Sequence, residues 1–335
     1  MSENAKTVDN IVSKINEYSR FADEAENRIN QRAENVEVIK KEFNARINDI
    51  FIGSIMPFEK ECYGNDEAGR FEEFKKIFIE EFRPMFLKGE YAEWSLRKPY
   101  GYAGDFKILE DIYLNAPRTA GIRRLHDIYY QDLTVCHAVR NRKEDFKNFI
   151  VNEINGKNGH IDVMSLSSGP AREVKEMVDI EGIKSKDVRF DCYDHDKNAI
   201  EYARTSTNGM GNIAFYEANA LKMALAKDIT AKVPRKYDII YSIGLFDYLN
   251  DRISVRLIEN LKKLLKPDGK MMIASVRERY SNPSVIFMEL VAEWMLVYRS
   301  DEDFRKVFLE AGFGEQSLAF CQERQGVMQY IIAKR

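Results

Sequence analysis

The sequence predicts an α/β fold: a seven-stranded, mostly parallel sheet wrapped by helices, closed by an antiparallel C-terminal hairpin and preceded by a mostly α-helical unit. Three observations carry this. Up to about residue 150 the apolar residues recur at helical spacing. From about residue 160 short apolar runs alternate with helical stretches, the pattern of a sheet covered on both faces. The last two runs are joined only by Cys321 to Val327, which permits a hairpin and excludes a helical crossover.

The elements follow in order. Val8, Ile11, Val12, Ile15, Tyr18 and Phe21, then Ile29, Ala33, Ile39, Phe43 and Ile47, mark one apolar stripe, with no Gly or Pro before Gly53. Such a stripe packs on its own domain or against a second subunit, so a homodimer through the N-terminal helices is one expectation. A coiled coil fits less well, because the heptad register does not hold. A helix is expected from Phe71 to about Leu87, with Pro84 as a kink or an end. A loop follows, Arg97-Lys98-Pro99-Tyr100-Gly101-Tyr102-Ala103-Gly104-Asp105, and then helices over Phe106–Leu114 and Ile122–Phe149. The helical unit is assigned to residues 1–145 and the sheet domain to 146–335.

Strands are expected at Ile161–Leu166, Val188–Tyr193, Ile213–Tyr216, Tyr237–Ser242, Lys270–Val276, Ser317–Phe320 and Met328–Ala333. After the fifth strand, Pro283 to Val297 reads as a helix inserted before the next αβ unit. Its apolar face (Ile286, Phe287, Leu290, Trp294, Val297) is either core or the wall of a lipophilic pocket. No internal repeat or low-complexity segment occurs.

Composition narrows the function. Of 335 residues 44% are hydrophobic and 31% charged, with a net charge of −3, so there is no broad basic excess to serve as a nucleic-acid footprint. Cys62, Cys136, Cys192 and Cys321 are scattered without a C-x-x-C pair, as in a reduced cytoplasmic protein, and no metal site is expected. The opening MSENAKTVDN lacks the form of a signal peptide. The apolar stretch Val285 to Val297 is interrupted by Glu289 and Glu293 and is too short to span a membrane, so no membrane partner is expected.

The chemistry concentrates between residues 161 and 196. The first predicted strand breaks at Ser167-Ser168-Gly169-Pro170-Ala171, and a helical pattern starts at once, with Pro170 suited to its first turn. Small residues here let a cofactor approach the backbone. The dinucleotide fingerprint G-x-G-x-x-G fits poorly: with its second glycine on Gly169, Ser167 stands for the first and Arg172 for the third. A nucleoside cofactor without a pyrophosphate relaxes that demand. Asp194 ends the second strand, where a carboxylate can accept both ribose hydroxyls; His195 extends the loop, and Asp196 reads as the cap of the next helix. Asn219, followed by Ala220, either meets the rim of a base or bonds its own backbone. Ile243, Gly244 and Leu245 end the fourth strand, where Gly244 permits close approach and Leu245 and Phe246 offer apolar surface.

The order strand–SSGPA–helix, strand–Asp194, strand–Asn219-Ala220, YDIIYSIGLFDYL and LLKPDGKMMIASV resembles that of class I SAM-dependent methyltransferases over residues 145 to 335. The resemblance implies a Rossmann-like methyltransferase sheet and S-adenosyl-L-methionine (SAM) as cofactor. It implies cofactor contacts at Ser167, Gly169, Pro170, Asp194, His195, Asn219, Ala220, Ile243, Gly244 and Leu245. One departure matters: the acid usual two residues before the first glycine is Ser165 here, and that glycine is Ser167. Arg97 to Tyr113 and Ser281 to Phe304 resemble a bacterial subgroup assigned to methyl ester formation on 3-hydroxy fatty acids such as 3-hydroxypalmitate.

Candidate substrate residues are Tyr100, Tyr102 and Asp105 on the first loop, Arg277, Arg279 and Tyr280 after the fifth strand, and Tyr298. Methyl transfer is an in-line displacement, in which the protein aligns the reactants and excludes water. A carboxylate acceptor is already ionised near neutral pH; an amine or hydroxyl needs a base. His126, His137 and His195 are candidates, and no His–Asp pair stands out. The favoured reading is therefore O-methylation of a small or lipophilic acid. N-, O- or C-methylation of another small molecule, a non-catalytic SAM-binding module and, more distantly, a nicotinamide oxidoreductase remain open.

Overall fold

The computed structural model describes residues 3–31, 35–208 and 210–335. Ala33, one member of the N-terminal stripe, lies outside them. The chain forms two compact units. The first comprises Met1–Ile108, Leu114–Cys136 and Pro283–Met295; the second comprises Leu109–Tyr113, His137–Asn282 and Leu296–Arg335.

The first unit is helical. Glu3–Asn30 and Val36–Ile50 are helices. Ile11, Ile15, Tyr18 and Phe21 of the first, and Ile39, Phe43 and Ile47 of the second, are buried within the unit. Their partners are largely aromatic. Tyr18 stacks on Phe86 at 5.1 Å, and Phe51 meets Phe86 edge-on at 4.9 Å. The expected helix from Phe71 to Leu87 is not one regular piece. It runs as Ala68–Ile77, widens into a π-turn at Phe78–Phe82 and resumes as Arg83–Phe86. A second π-turn, Phe51–Ile55, precedes Met56–Gly64. Each widened turn contains the residue four before a proline (Gly53 for Pro57, Glu80 for Pro84). A proline ring clashes with that residue's carbonyl and donates no hydrogen bond, and a wider turn relieves both problems. Pro84 therefore marks a bulge.

The inserted helix is shorter than its apolar pattern. It spans Val285–Ala292, because Glu293 turns left-handed (φ 49°) and ends it. Ile286, Phe287, Leu290 and Trp294 are buried, and Phe287 packs edge-on against Phe51 and Tyr129 in the same unit. These residues are core.

The second unit carries the sheet: β1 Ile161–Leu166, β2 Val188–Asp194, β3 Ile213–Glu217, β4 Tyr237–Ser242, β5 Leu265–Val276, β6 Leu318–Gln322 and β7 Met328–Lys334. Their order is β3-β2-β1-β4-β5-β7-β6. The first five strands are parallel, and β7 runs antiparallel to both β5 and β6. All of β1 is buried, as a central parallel strand must be. The sixth strand starts at Leu318, because Ser317 closes a short 3-10 turn. Neighbours change direction between β1, which pairs β2 on one side and β4 on the other, so the carboxyl ends of these strands flank the crevice where such sheets bind ligands. Among the described residues, no helix is long and apolar enough to cross a membrane.

Candidate cofactor site at the carboxyl ends of the strands

The turn after β1 has a conformation its composition hides. Ser167, Gly169 and Ala171 are all left-handed, with φ of 55°, 51° and 49°. Three alternate positions thus adopt geometry that favours glycine, and only one is glycine. A non-glycine residue held this way is strained, and such strain persists where the surroundings enforce it, often at a functional site. The apt comparison is a repeat of two, not the G-x-G-x-x-G spacing. The left-handed Ala171 also delays the helix to Arg172–Val178, so Pro170 lies in the turn before it and not in its first turn. Arg172, set against the third glycine of the dinucleotide fingerprint, points at Glu110 and hydrogen-bonds its carboxylate.

Asp194 holds this turn in place. Its Oδ2 accepts the N–H of Gly169 at 2.8 Å, and its Oδ1 accepts the N–H of Asp196 at 2.9 Å. It is buried, and a carboxylate with two acceptors filled keeps lone pairs for further donors. His195 lies half-exposed with Nδ1 3.4 Å from Asp194, and that carboxylate lifts its pKa above the ordinary value. Asp196 caps the helix Lys197–Ser206 by accepting from Asn198 N–H. Asn219 also caps: its Oδ1 accepts from Lys222 N–H at 3.1 Å, and Ala220 is the first residue of that helix. A cleft of about 760 Å³ opens here, lined among others by Tyr193, His195, Glu217, Ala218, Asn219 and Arg235.

At the end of β4, Ile243 is buried, while Gly244 and Leu245 are half-buried. Phe246 is core, and Tyr248 is exposed. Gly244 has no left-handed φ. Its missing side chain makes room for Arg142, whose Nη2 would lie 3.3 Å from a Cβ placed there. Arg142, on the helix Thr134–Asn155, was not singled out by sequence: it sits in the charged run VRNRKED, which looks like a solvated face. Its Nη1 donates to Asp247 Oδ2 at 3.1 Å in a pair buried on both sides. Asp247 also accepts from Val276 N–H at 2.7 Å, and burial raises its pKa against the lowering effect of Arg142.

Ser165, in the place of the usual acid, is buried in β1 opposite Tyr241 of β4. The Tyr241 hydroxyl donates to Glu173 at 2.9 Å, and burial pushes the Glu173 carboxyl up to about 7.

The sequence-proposed substrate residues belong to both units. Arg277 is engaged by Asp301, with Nε donating to Oδ1 at 2.9 Å, and by the Gly326 carbonyl at 3.0 Å. The Arg279 guanidinium lies over the rings of Tyr280 and Tyr298 at 5.7 and 5.8 Å. In the first unit, Asp105 accepts from the N–H groups of Lys107 and Ile108 and from Trp94 Nε1, so it organises its own loop. Tyr100 packs on Phe106 at 4.7 Å, and Tyr102 is half-buried.

The second unit's residues fit SAM. Ser168 Oγ is buried beside the turn without a hydrogen-bond partner, and a Cβ added to Gly169 would meet nothing within 4 Å. The turn thus holds an unmet polar atom at Ser168 and open space at Gly169, whose N–H is bonded to the Asp194 carboxylate.

Residues 157–319 match the family model described as a methyltransferase domain. No curated protein sequence matches the chain. Among solved structures, a Bordetella parapertussis protein described as a possible exported protein is 18% identical, with a TM-score of 0.55 over 97% of this chain and 96% of that one. A protein from Thermobifida fusca YX put forward as a methyltransferase is 15% identical, with a TM-score of 0.51 over 68% of this chain and 93% of that one. At such identities they show the fold alone. The family match falls on the stretch that holds β1 to β5 and the Asp194 turn, and it makes residues 157–319 a class I SAM-dependent methyltransferase domain and the chain a SAM-dependent methyltransferase.

Proposed function

We propose that the enzyme transfers the methyl group of SAM to a carboxylate oxygen of a small or lipophilic acid. The observation that carries this reading is what the three histidines singled out by sequence do; the fourth, His160, lies before the amino end of β1, beside Asp162 and Asp187. His126 is buried in the first unit against Tyr18 and Phe43, and burial lowers its pKa to about 3. His137 contacts Arg140 at 3.1 Å. His195 stands beside Asp194, at the ribose end of the site. Beside Gly244 lies Arg142, already joined to Asp247 in an ion pair. An acceptor that must lose a proton needs a base near the methyl carbon, whereas a carboxylate arrives ionised. SAM supplies the electrophilic methyl; the protein's share is to align the acceptor and exclude water.

The segments Arg97 to Tyr113 and Ser281 to Phe304 support 3-hydroxy fatty acids as the first acids to try. The test is methylation of a panel of acids, amines and alcohols, followed by mass spectrometry. A gain of one methyl on an acid, released by mild base as methanol, is expected. Methylation confined to amines or hydroxyls would overturn the reading.

A further inference from the structure

Arg142 presents two edges of one guanidinium to different surroundings. Nη1 is used: it donates to Asp247 and lies 3.8 Å from the sulfur of Met328. On the other edge, Nε is buried with no hydrogen-bond partner, and Nη2 reaches the space above Gly244. Nε and the outer Nη form the side-on fork that grips a carboxylate through two parallel hydrogen bonds. A buried guanidinium with an unmet N–H is costly to keep, and a ligand that meets it removes that cost.

The surroundings favour an anion. Asp247 faces two buried guanidiniums, Arg142 and Arg299. Arg299 is itself occupied, by the carbonyls of Phe246 and Leu249, by Ser275 and by the exposed Asp251. One buried carboxylate therefore stands against two buried cations, and the Nη2 end of the Arg142 fork lies beside Gly244.

We propose that Arg142 is the carboxylate-binding residue at the β4 end of the site, its Nε–Nη2 edge gripping a ligand carboxylate over Gly244. The proposal rests on the chain binding SAM, and its acceptor outcome rests also on the acid proposed above. Two carboxylates have this chemistry, the amino-acid end of SAM and the acid to be methylated.

The experiment measures binding of S-adenosylhomocysteine and of 5′-methylthioadenosine, which lacks the amino-acid group, to wild type, Arg142→Gln and Arg142→Lys by calorimetry. Binding of S-adenosylhomocysteine by wild type tests the cofactor reading separately. A loss of tenfold or more for S-adenosylhomocysteine, with methylthioadenosine unchanged, assigns Arg142 to the cofactor carboxylate. Both affinities unchanged, with a raised KM and preserved kcat for the acid returned by the methylation panel, assigns it to the acceptor. Equal losses for both nucleosides, or no change in any of these values, overturns the proposal. Should the arginine variants fail to fold, Gly244→Ala decides in the same way. Its Cβ crowds Nη2 while leaving the ion pair with Asp247 intact, and the same selective loss is expected.

Discussion

Gly169 donates its backbone N–H to the carboxylate of Asp194 at 2.8 Å, so the end of β2 holds the turn that follows β1. One side chain therefore shapes the turn, and we propose that it also binds the cofactor ribose. The two duties separate by substitution.

Asp194→Ala strands the N–H groups of Gly169 and Asp196. Each buried donor left unmet costs about 1–3 kcal/mol, so the melting temperature should fall markedly. Affinity for S-adenosylhomocysteine should fall on the order of 100-fold through the lost ribose contacts. Asp194→Asn keeps one acceptor and should recover part of the stability and little of the affinity. Calorimetry and thermal melts on both variants check this. Unchanged affinity in the alanine variant would remove Asp194 from the cofactor site.

The strained turn makes an unusual forecast. Ser167→Gly and Ala171→Gly relieve a left-handed backbone that costs about 1–2 kcal/mol per non-glycine residue, against a glycine entropy penalty of about 0.5–1 kcal/mol. Each should leave stability unchanged or raise it by up to about 1 kcal/mol. Gly169→Ala should lower it by roughly 1–2 kcal/mol from backbone strain alone, since its Cβ meets no atom. Urea unfolding of the three variants gives the comparison; a clear loss in both glycine variants would count against strain at these positions.

Glu173 predicts how stability varies with pH. Its carboxyl is raised from 4.5 to about 7 in the fold by burial. Below pH 4.5 it is neutral in both the folded and the unfolded chain, and its contribution is fully present. As pH rises from there through 7, the unfolded chain ionises first and stability is lost, by up to about 3 kcal/mol. Glu173→Gln should flatten this slope and gain relative to wild type towards pH 8. Unfolding free energies at pH 5 and 8 decide it, and equal slopes in the two proteins would refute the assignment.

Much of the sheet was legible because burial on both faces demands unbroken apolar runs. Ile161–Leu166 and Tyr237–Ser242 are observed with the ends their sequence suggests. The cap at Asp196 was also readable, since a short polar side chain ahead of a helix commonly caps it; Asn219, which sequence left between a base's rim and its own backbone, proves to cap as well. What was hidden is conformational or long-range. Nothing in the residue type of Ser167, Ala171 or Glu293 announces a left-handed backbone, and so the start of the helix at Arg172 and the end of the helix at Ala292 were both misplaced. The π-turns follow from prolines acting four residues upstream, which an apolar stripe does not record. Arg142 and Asp247 lie 105 residues apart, and the fold alone makes a charged helix face into a buried pair.

The first unit is assembled from three separated stretches, the last being Pro283–Met295. During synthesis its aromatic core must therefore wait for Phe287, which emerges only after β1 to β5 have left the ribosome. The N-terminal helices are born early and finished late. A fragment cut near residue 145 would carry their apolar faces without the helix that completes them, so the two units share a folding schedule as well as a chain.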